Sequence, residues 1–515
     1  MTTKEPPAIS TPSTNRPGCL NRCAQIIARI WLATGIVVWC VQPPIPIASL
    51  ATGGRMIAMK SNQGSIVTIS VTSEGPWKAS VWDLPTGRLS KTVALSSSTT
   101  RSAAYGWYCE ISPDSSFVAY GEQGYGGPSV VHVMDLVNGS SKTFDVAEVT
   151  PGITPVAISP DSKLMALSNA GPDSLVTVEI LKAGSHERVA LLTGLRAPIT
   201  FSADGRTLAA GDVEHRVCLV NAVSGDVITR FAPHTFPVSF LAFSSDGTRL
   251  ASAANSASSY EDKRPAEIWQ YDVAKQEQVR SWNCPGIALG RLWFDETGKW
   301  LCAADSMIGG SMIWDVTSQS GAAPFVTLEA PVLSKDGTRQ AILSGKPMNL
   351  LLTVVWENPM IQILDRTNGK VQAEFKSNWP EMASLRPIAF SPDDRTVAVQ
   401  VNYRSFLARV LPMTVMNRLG AEPVTNEVWF IDIVTGNCRS RIPGYAPVGF
   451  NDGAIYVSKD GTLVTLDPKS MAPNLWRHPP RRLFIGFAIA LVSVAPLALM
   501  NRKGLRSFVA KPTLQ

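Results

Sequence analysis

Few residues in this 515-residue sequence have the types and spacing that catalysis or metal binding would require. No G-x-S-x-G, H-E-x-x-H, phosphate-loop or calcium-loop pattern occurs. The Gly-rich segment 121–127 lacks the strand-to-helix setting of a nucleotide loop, and we interpret it as a hairpin tip. Metal sites need clustered ligands, whereas the five histidines are scattered. We therefore predict no catalytic residue, no metal ligand and no cofactor. The histidines are His132, His186, His215, His234 and His478.

The eight cysteines do not form a disulfide framework. Cys109, Cys218 and Cys302 fall on predicted strands, and we interpret them as small buried side chains. Cys284 and Cys438 could pair only if the fold brought them together. Cysteine usage therefore does not indicate the redox compartment.

The residues that do recur belong to short turns of the Ser-x-Asp-Gly type. Asp-Gly favours a tight hairpin because Gly accepts positive φ and Asp bonds the local backbone. Successive turns are 43 residues apart from Asp161 to Asp204 and 42 from Asp204 to Asp246. Weaker copies lie at 60–63, 294–297 and 450–453. The turn aspartates are Asp114, Asp161, Asp204, Asp246, Asp336 and Asp393.

A second repeated feature is an apolar or aromatic residue followed by Asp, which we place at the end of the third strand of each copy. A sheet of four such strands cannot bury both faces alone, so it must stack on its neighbours. The pattern occurs at Val81-Trp82-Asp83, Val133-Met134-Asp135, Gln270-Tyr271-Asp272, Ile313-Trp314-Asp315, Ile363-Leu364-Asp365 and Phe430-Ile431-Asp432.

The stretch from His234 to Val273 resembles a WD40 repeat, because it combines F-S-S-D-G-T-R-L-A-S with a terminal aromatic-Asp pair. Copies of it cover residues 55–467. The resemblance implies an all-β fold, a single β-propeller of about eight four-stranded blades, with seven or nine allowed. It also implies a hydrogen-bonded network of His, Ser or Thr, Asp and Trp. Only His234 and Ser252 carry over, and Tyr271 stands where the family has Trp.

The net charge of +6 comes from the chain ends. Residues 1–50 contribute +3 and residues 477–515 contribute +7, which leaves −4 for residues 51–476. A nucleic-acid-binding domain should carry its own basic face. We therefore predict no nucleic-acid partner.

The N-terminal region contains an apolar segment with two equal interpretations. Residues 1–23 are expected to be a disordered basic terminus. Residues 24–51 are either a signal peptide, with Ser49–Ala51 as cleavage site, or a transmembrane anchor. The propeller is expected to occupy residues 52–470.

The C-terminal region contains the stretch 483–500, which has no charged residue and is flanked by arginines. We predict a transmembrane helix there, between a basic linker at 471–482 and a short basic tail at 501–515. Basic residues before the N-terminal segment favour an extracytoplasmic propeller. If that segment does not insert, the propeller would instead be cytoplasmic, with a C-terminal anchor.

Long insertions fall between the second and third strands of several copies, and loops on rigid scaffolds often form recognition surfaces. For the apolar insertion 350–356 we favour packing as a cap. For the insertion 402–426, a cap, a binding surface and contact with lipid stay open. Aromatic and Arg side chains are frequent hot-spot residues. The predicted partner-binding residues are Tyr260, Arg264, Arg404, Phe406, Arg409 and Arg418.

These features favour a membrane-tethered, non-enzymatic propeller that serves as a platform for other proteins, although fold does not establish function. One alternative is a propeller enzyme or small-ligand-binding protein that uses the central channel. A second alternative is a structural protein of the cell envelope.

Overall fold

A computed structural model describes residues 46–477 of the chain, apart from a series of gaps. Residues 1–45 and 478–515 lie outside the described part, and so do the predicted transmembrane helix and most of the predicted N-terminal segment. The gaps are 62–63, 72–76, 85, 96–103, 125–128, 147–154, 171–175, 256–263, 285–288, 306–310, 318–324, 328–331, 351–352, 367, 377–381, 405–413, 417–423, 447–461 and 468–471.

The described strands form nine antiparallel sheets, which are the blades of a β-propeller. Strand order within each of the first eight blades follows chain order. Blades one to four are β2 (Arg55–Ser61), β3 (Ser65–Val71), β4 (Trp77–Asp83), β5 (Leu89–Leu95); β6 (Ala104–Ile111), β7 (Phe117–Gly124), β8 (Ser129–Asp135), β9 (Ser141–Val146); β10 (Val156–Ile158), β11 (Leu164–Ala170), β12 (Val176–Lys182), β13 (Arg188–Thr193); and β14 (Leu195–Phe201), β15 (Thr207–Asp212), β16 (Val217–Asn221), β17 (Val227–Arg230).

Blades five to eight repeat the arrangement, and blade nine combines both ends of the propeller. Blades five to eight are β18 (Val238–Phe243), β19 (Arg249–Ala254), β20 (Ala266–Asp272), β21 (Glu277–Cys284); β22 (Leu289–Phe294), β23 (Trp300–Asp305), β24 (Ser311–Asp315), β25 (Phe325–Thr327); β26 (Val332–Leu333), β27 (Arg339–Leu350), β28 (Thr353–Asp365), β29 (Val371–Lys376); and β30 (Met382–Phe390), β31 (Thr396–Arg404), β32 (Val424–Asp432), β33 (Cys438–Pro443). Blade nine contains β34 (Thr462–Leu466), β35 (Pro473–Arg477) and β1 (Ala48–Ser49).

Burial changes from the second strand of a blade to its outermost strand. In β15 and β19 every residue after the first is buried, since both faces of the sheet pack against neighbouring blades. The outermost strand β17 is almost entirely accessible. The hydrophobic core therefore lies between blades. One such cluster joins Leu219 of blade four to Leu250 and Tyr271 of blade five.

The propeller has nine blades rather than the eight that the sequence favoured, although nine had been allowed. The reason is that blade nine takes strands from both ends of the propeller. Ala48 and Ser49 pair with Leu475 and Asn474, and Leu50 packs in a cluster that also contains Trp82 of blade one and Val464 of blade nine. The sheets thus extend beyond the expected limits of 52 and 470.

The insertion in blade seven continues the blade itself. Strands β27 and β28 stay paired beyond the end of the sheet, from Lys346 opposite Glu357 to Leu350 opposite Thr353. In blade eight, β31 and β32 stay paired as far as Arg404 and Val424, and residues 414–416 form a helical turn. In the described part of the chain, no helix has the length and apolar character that crossing a bilayer requires.

Candidate functional site

The turn aspartates connect the first and second strands of six blades. In each turn the Ser hydroxyl donates to the Asp two residues later, over 2.5–2.8 Å. The same Ser oxygen accepts the backbone N–H five residues on, over 2.9–3.0 Å. These contacts hold the hairpin closed, so the aspartates have a structural role. They are Asp114, Asp161, Asp204, Asp246, Asp336 and Asp393.

The third-strand aspartates stabilise the turn that follows them, because their carboxylates accept hydrogen bonds from its backbone. Asp83 accepts from the Thr86 N–H at 3.2 Å, and Asp272 accepts from the Lys275 N–H at 2.9 Å. Asp315 and Asp432 accept from the backbone of their own turns at 2.8 and 2.9 Å. Each carboxylate caps the turn that leads to the outer strand, which satisfies N–H groups that the sheet leaves free.

Tryptophans near the end of the third strand bond to the second strand of the same blade. The indole N–H of Trp82 donates to Thr68 at 2.8 Å, and that of Trp476 donates to Thr465 at 2.9 Å. Trp314 occupies the matching place in blade six, but Ala303 stands where blades one and nine have Thr. Its buried N–H has no hydrogen-bond partner among the described residues.

His234 forms the most extensive polar network of the described residues of blade five. Its Nε2 lies 2.7 Å from Ser252 Oγ, and its Nδ1 lies 2.9 Å from Glu267 Oε2. Ser252 Oγ is in turn 3.1 Å from Tyr271 OH. The imidazole stacks on Trp269 with ring centroids 3.8 Å apart. His234 and Ser252 were anticipated, whereas Glu267 as the acidic member of the network was not.

The direction of each hydrogen bond follows from the protonation states. Burial lowers the pKa of His234, so the ring is neutral at pH 7. Burial would raise the pKa of Glu267, but bonds from Thr235 and His234 outweigh it and the pKa is lowered. An ionised carboxylate only accepts, so His234 Nδ1–H donates to Glu267. Nε2 then accepts from Ser252, and Ser252 accepts from Tyr271.

Ser252, His234 and Glu267 have the order of a nucleophile, base and orienting acid. A substrate could not reach this hydroxyl, because Ser252 is 0% exposed and Tyr271 covers its remaining side. The polar network therefore fastens blade five internally. The signal that could have identified Glu267 is its position four residues before Tyr271 on the same strand.

The predicted partner-binding residues are only partly described. Arg264 is exposed at the end of the blade-five insertion, and its guanidinium lies 4.3 Å from the centre of the Phe236 ring. Arg404 ends β31 and pairs with Val424. The other four lie outside the described residues: Tyr260, Phe406, Arg409 and Arg418.

Within the described ranges, no group of three or more His, Cys, Asp or Glu could hold a metal ion. Cys284 and Cys438 are both free and lie in blades five and eight. Burial raises the pKa of Cys284 to about 12, so its thiol stays protonated and weakly nucleophilic at pH 7.

No family model matches the chain, and no curated protein matches it in sequence. A solved structure described as "Crystal structure of the eukaryotic initiation factor" is similar in fold, with 12% identity, a TM-score of 0.49, and coverage of 78% of this chain and 90% of that one. A likeness of that size carries no argument about function. The assignment of a propeller rests on the nine sheets, and the WD40 pattern stays a resemblance.

Proposed function

We propose that this chain is a membrane-tethered, non-enzymatic propeller that presents a binding surface to other proteins. The observation that supports it most directly is the pairing of β1 with β35. The Ile47 N–H donates to the Leu475 carbonyl at 2.7 Å, so the chain enters and leaves the propeller at one edge of blade nine. Both connections lead to apolar sequence, around 30–45 and at 483–500. Two anchors that start from one edge could hold the propeller on one side of a bilayer.

The binding surface in this proposal is the face that carries the connections between second and third strands. The extended hairpin of β27 and β28 and the long pair β31–β32 give that face a backbone ordered by hydrogen bonds. A preordered surface loses less conformational entropy on binding than a free loop does. Arg264, exposed and stacked on Phe236, lies on the same face.

The topology is tested by protease protection on sealed vesicles or spheroplasts, with epitope tags in the propeller and at the C-terminus. We expect external protease to digest the propeller while the C-terminal tag survives. A propeller that is cut only after lysis would contradict the extracytoplasmic placement. Recovery of the full chain in the soluble fraction after carbonate extraction would contradict the tether.

The platform role is tested by crosslinking in membranes and co-purification of the full chain. One variant replaces residues 256–263 with a Gly-Ser segment of equal length, and the matched control changes exposed turns on the opposite face, Val137→Ser and Val223→Ser. We expect a partner that the first variant loses and the control retains. Equal retention by all variants would argue against this face as the platform.

A further inference from the structure

The innermost strands carry a charge that differs in sign from the rest of the propeller. The first strands of consecutive blades contact one another, as β10, β14, β18 and β22 do, which places them around the axis. Among their described charged side chains, four are basic and one is acidic: Lys60, Arg196, Arg291 and Arg386, against Glu110. Residues 51–476 as a whole have a net charge of −4. Basic residues are therefore concentrated at the channel.

The three arginines lie at the same level of the channel, in blades four, six and eight. Arg196 pairs with Gly211, Arg291 with Ala304 and Arg386 with Gln400. In the second strands, pairing with the first strand begins at Leu208, Leu301 and Val397. The residue opposite each arginine is the third residue after that starting point. The three positions are thus equivalent by register, and they are also equally spaced in the sequence, at intervals of 95 residues.

The arginine side chains are partly or fully exposed, and the Arg291 guanidinium lies 5.0 Å from the centre of the Trp293 ring. Arg291 and Arg386 are exposed and Arg196 is half-buried. An innermost strand has a hydrogen-bonded neighbour on one side only, so its exposed side chains reach solvent at the channel. None of the three forms an ion pair with another described residue. On blade four, Asp212 and Glu214 both pair with Arg216 instead.

We propose that this channel binds a small multivalent anion that carries several phosphate or carboxylate groups. Guanidinium groups bind such planar or tetrahedral oxyanions through paired, charge-assisted hydrogen bonds. A cleft lined by one sign of charge also concentrates counter-ions from solution. Because the arginines come from alternate blades, a ligand with several anionic groups can place one group against each guanidinium. This inference does not depend on the tether or on the platform role.

The test is isothermal titration of the full chain in detergent with inorganic tripolyphosphate, and separately with citrate, at about 0.15 M salt. The channel variant is Arg196→Gln with Arg291→Gln and Arg386→Gln. The charge-matched control changes three basic residues of outermost strands: Lys91→Gln, Lys142→Gln and Arg230→Gln. We expect saturable binding of at least one anion that weakens by about tenfold or more in the channel variant, since the anion loses its charge-assisted hydrogen bonds to the guanidinium groups.

Equal weakening in the control variant would overturn the proposal, because binding would then follow overall charge. So would the absence of binding by both anions, or saturable binding of a poly-glutamate peptide without either of them, which would indicate an acidic protein segment instead. If the triple variant unfolds at a lower temperature than the wild type, single Arg291→Gln and Arg386→Gln proteins replace it. Their side chains are exposed, so stability should be retained.

Discussion

At the scale of single residues, most polar side chains described above stabilise turns or link neighbouring strands through hydrogen bonds. Ser202 illustrates the recurrent turn, because its hydroxyl donates to Asp204 at 2.6 Å and accepts from the Thr207 N–H at 3.0 Å. The bond from Ser202 holds the pKa of Asp204 below its usual value. Ser202 is also 3% exposed, so water cannot replace its contacts.

We expect Ser202→Ala to lower the free energy of unfolding by about 1–3 kcal/mol, because a buried N–H loses its partner. The matched control is Ser224→Ala, whose hydroxyl donates to Asp226 over the same 2.6 Å but at an exposed turn. That change should cost less than about 0.5 kcal/mol. Denaturant unfolding measures the free energy of unfolding of both variants. An equal loss in the two would show that burial of the serine does not determine the size of the effect.

A second residue-scale prediction concerns the unpaired indole of Trp314. A hydroxyl at Ala303 would stand where Thr68 and Thr465 accept from Trp82 and Trp476. We expect Ala303→Ser to raise the free energy of unfolding by about 1 kcal/mol, the usual net contribution of a hydrogen bond.

The control for that change is Ala210→Ser in blade four. Ala210 holds the same register, but Val220 stands in place of the indole. The added hydroxyl then has no indole donor to accept from, so the variant should be less stable than the wild type. Destabilisation of both variants to the same extent would mean that the indole does not reach the new hydroxyl.

At the scale of elements, the two-residue strand β1 has a larger role than its length suggests. It completes blade nine, and Leu50, which follows it, is fully buried in the cluster shared with blade one. Gly87, in the last turn of blade one, lies against Ala48, and a Cβ there would overlap that side chain. The approach of blade one to β1 therefore needs glycine.

We expect Gly87→Ala to separate β1 from the propeller, which exposes residues 46–51 to protease. Gly139→Ala is the matched control, since Gly139 also has positive φ, at 78°, but has no atom within 4 Å of an added Cβ. The control should show only the backbone cost of about 1–2 kcal/mol. Limited proteolysis with mass spectrometry compares the two, and equal protection of residues 46–51 would contradict the close approach.

At the scale of the whole molecule, we expect three buried or half-buried histidines to make stability depend on pH. Burial lowers the pKa of His132, His186 and His234. In the unfolded chain a histidine titrates near about 6.5. As pH falls through that value, the unfolded state binds protons before the folded state does, which favours unfolding.

We therefore expect the thermal midpoint of the full chain to fall as pH decreases from about 7.5 to about 5.5, the range around the histidine pKa. His234→Gln should flatten this dependence, and His132→Gln should flatten it further. Differential scanning calorimetry across the range measures both effects. If the protein with both His132→Gln and His234→Gln shows the same dependence of the thermal midpoint on pH, other groups are responsible for it.

Features that depend on neighbouring residues can be predicted from the sequence. The Ser-x-Asp turns and the third-strand endings could be located because their hydrogen bonds span five residues or fewer. Hydrophobic strands between such turns were sufficient to predict stacked blades, since sheets of this kind cannot bury both faces alone. Those local rules predicted a propeller but did not count its blades.

Features that depend on contacts between distant segments become visible in the folded chain. Blade nine needs Ala48 to pair with Leu475, and the network of His234 needs a carboxylate 33 residues away. Arg196, Arg291 and Arg386 recur at equal intervals of 95 residues, but strand register is what places them at one level of the sheets. Local propensity carries no information on such pairings, because their free energy comes from bringing remote residues together across an already formed ring of sheets.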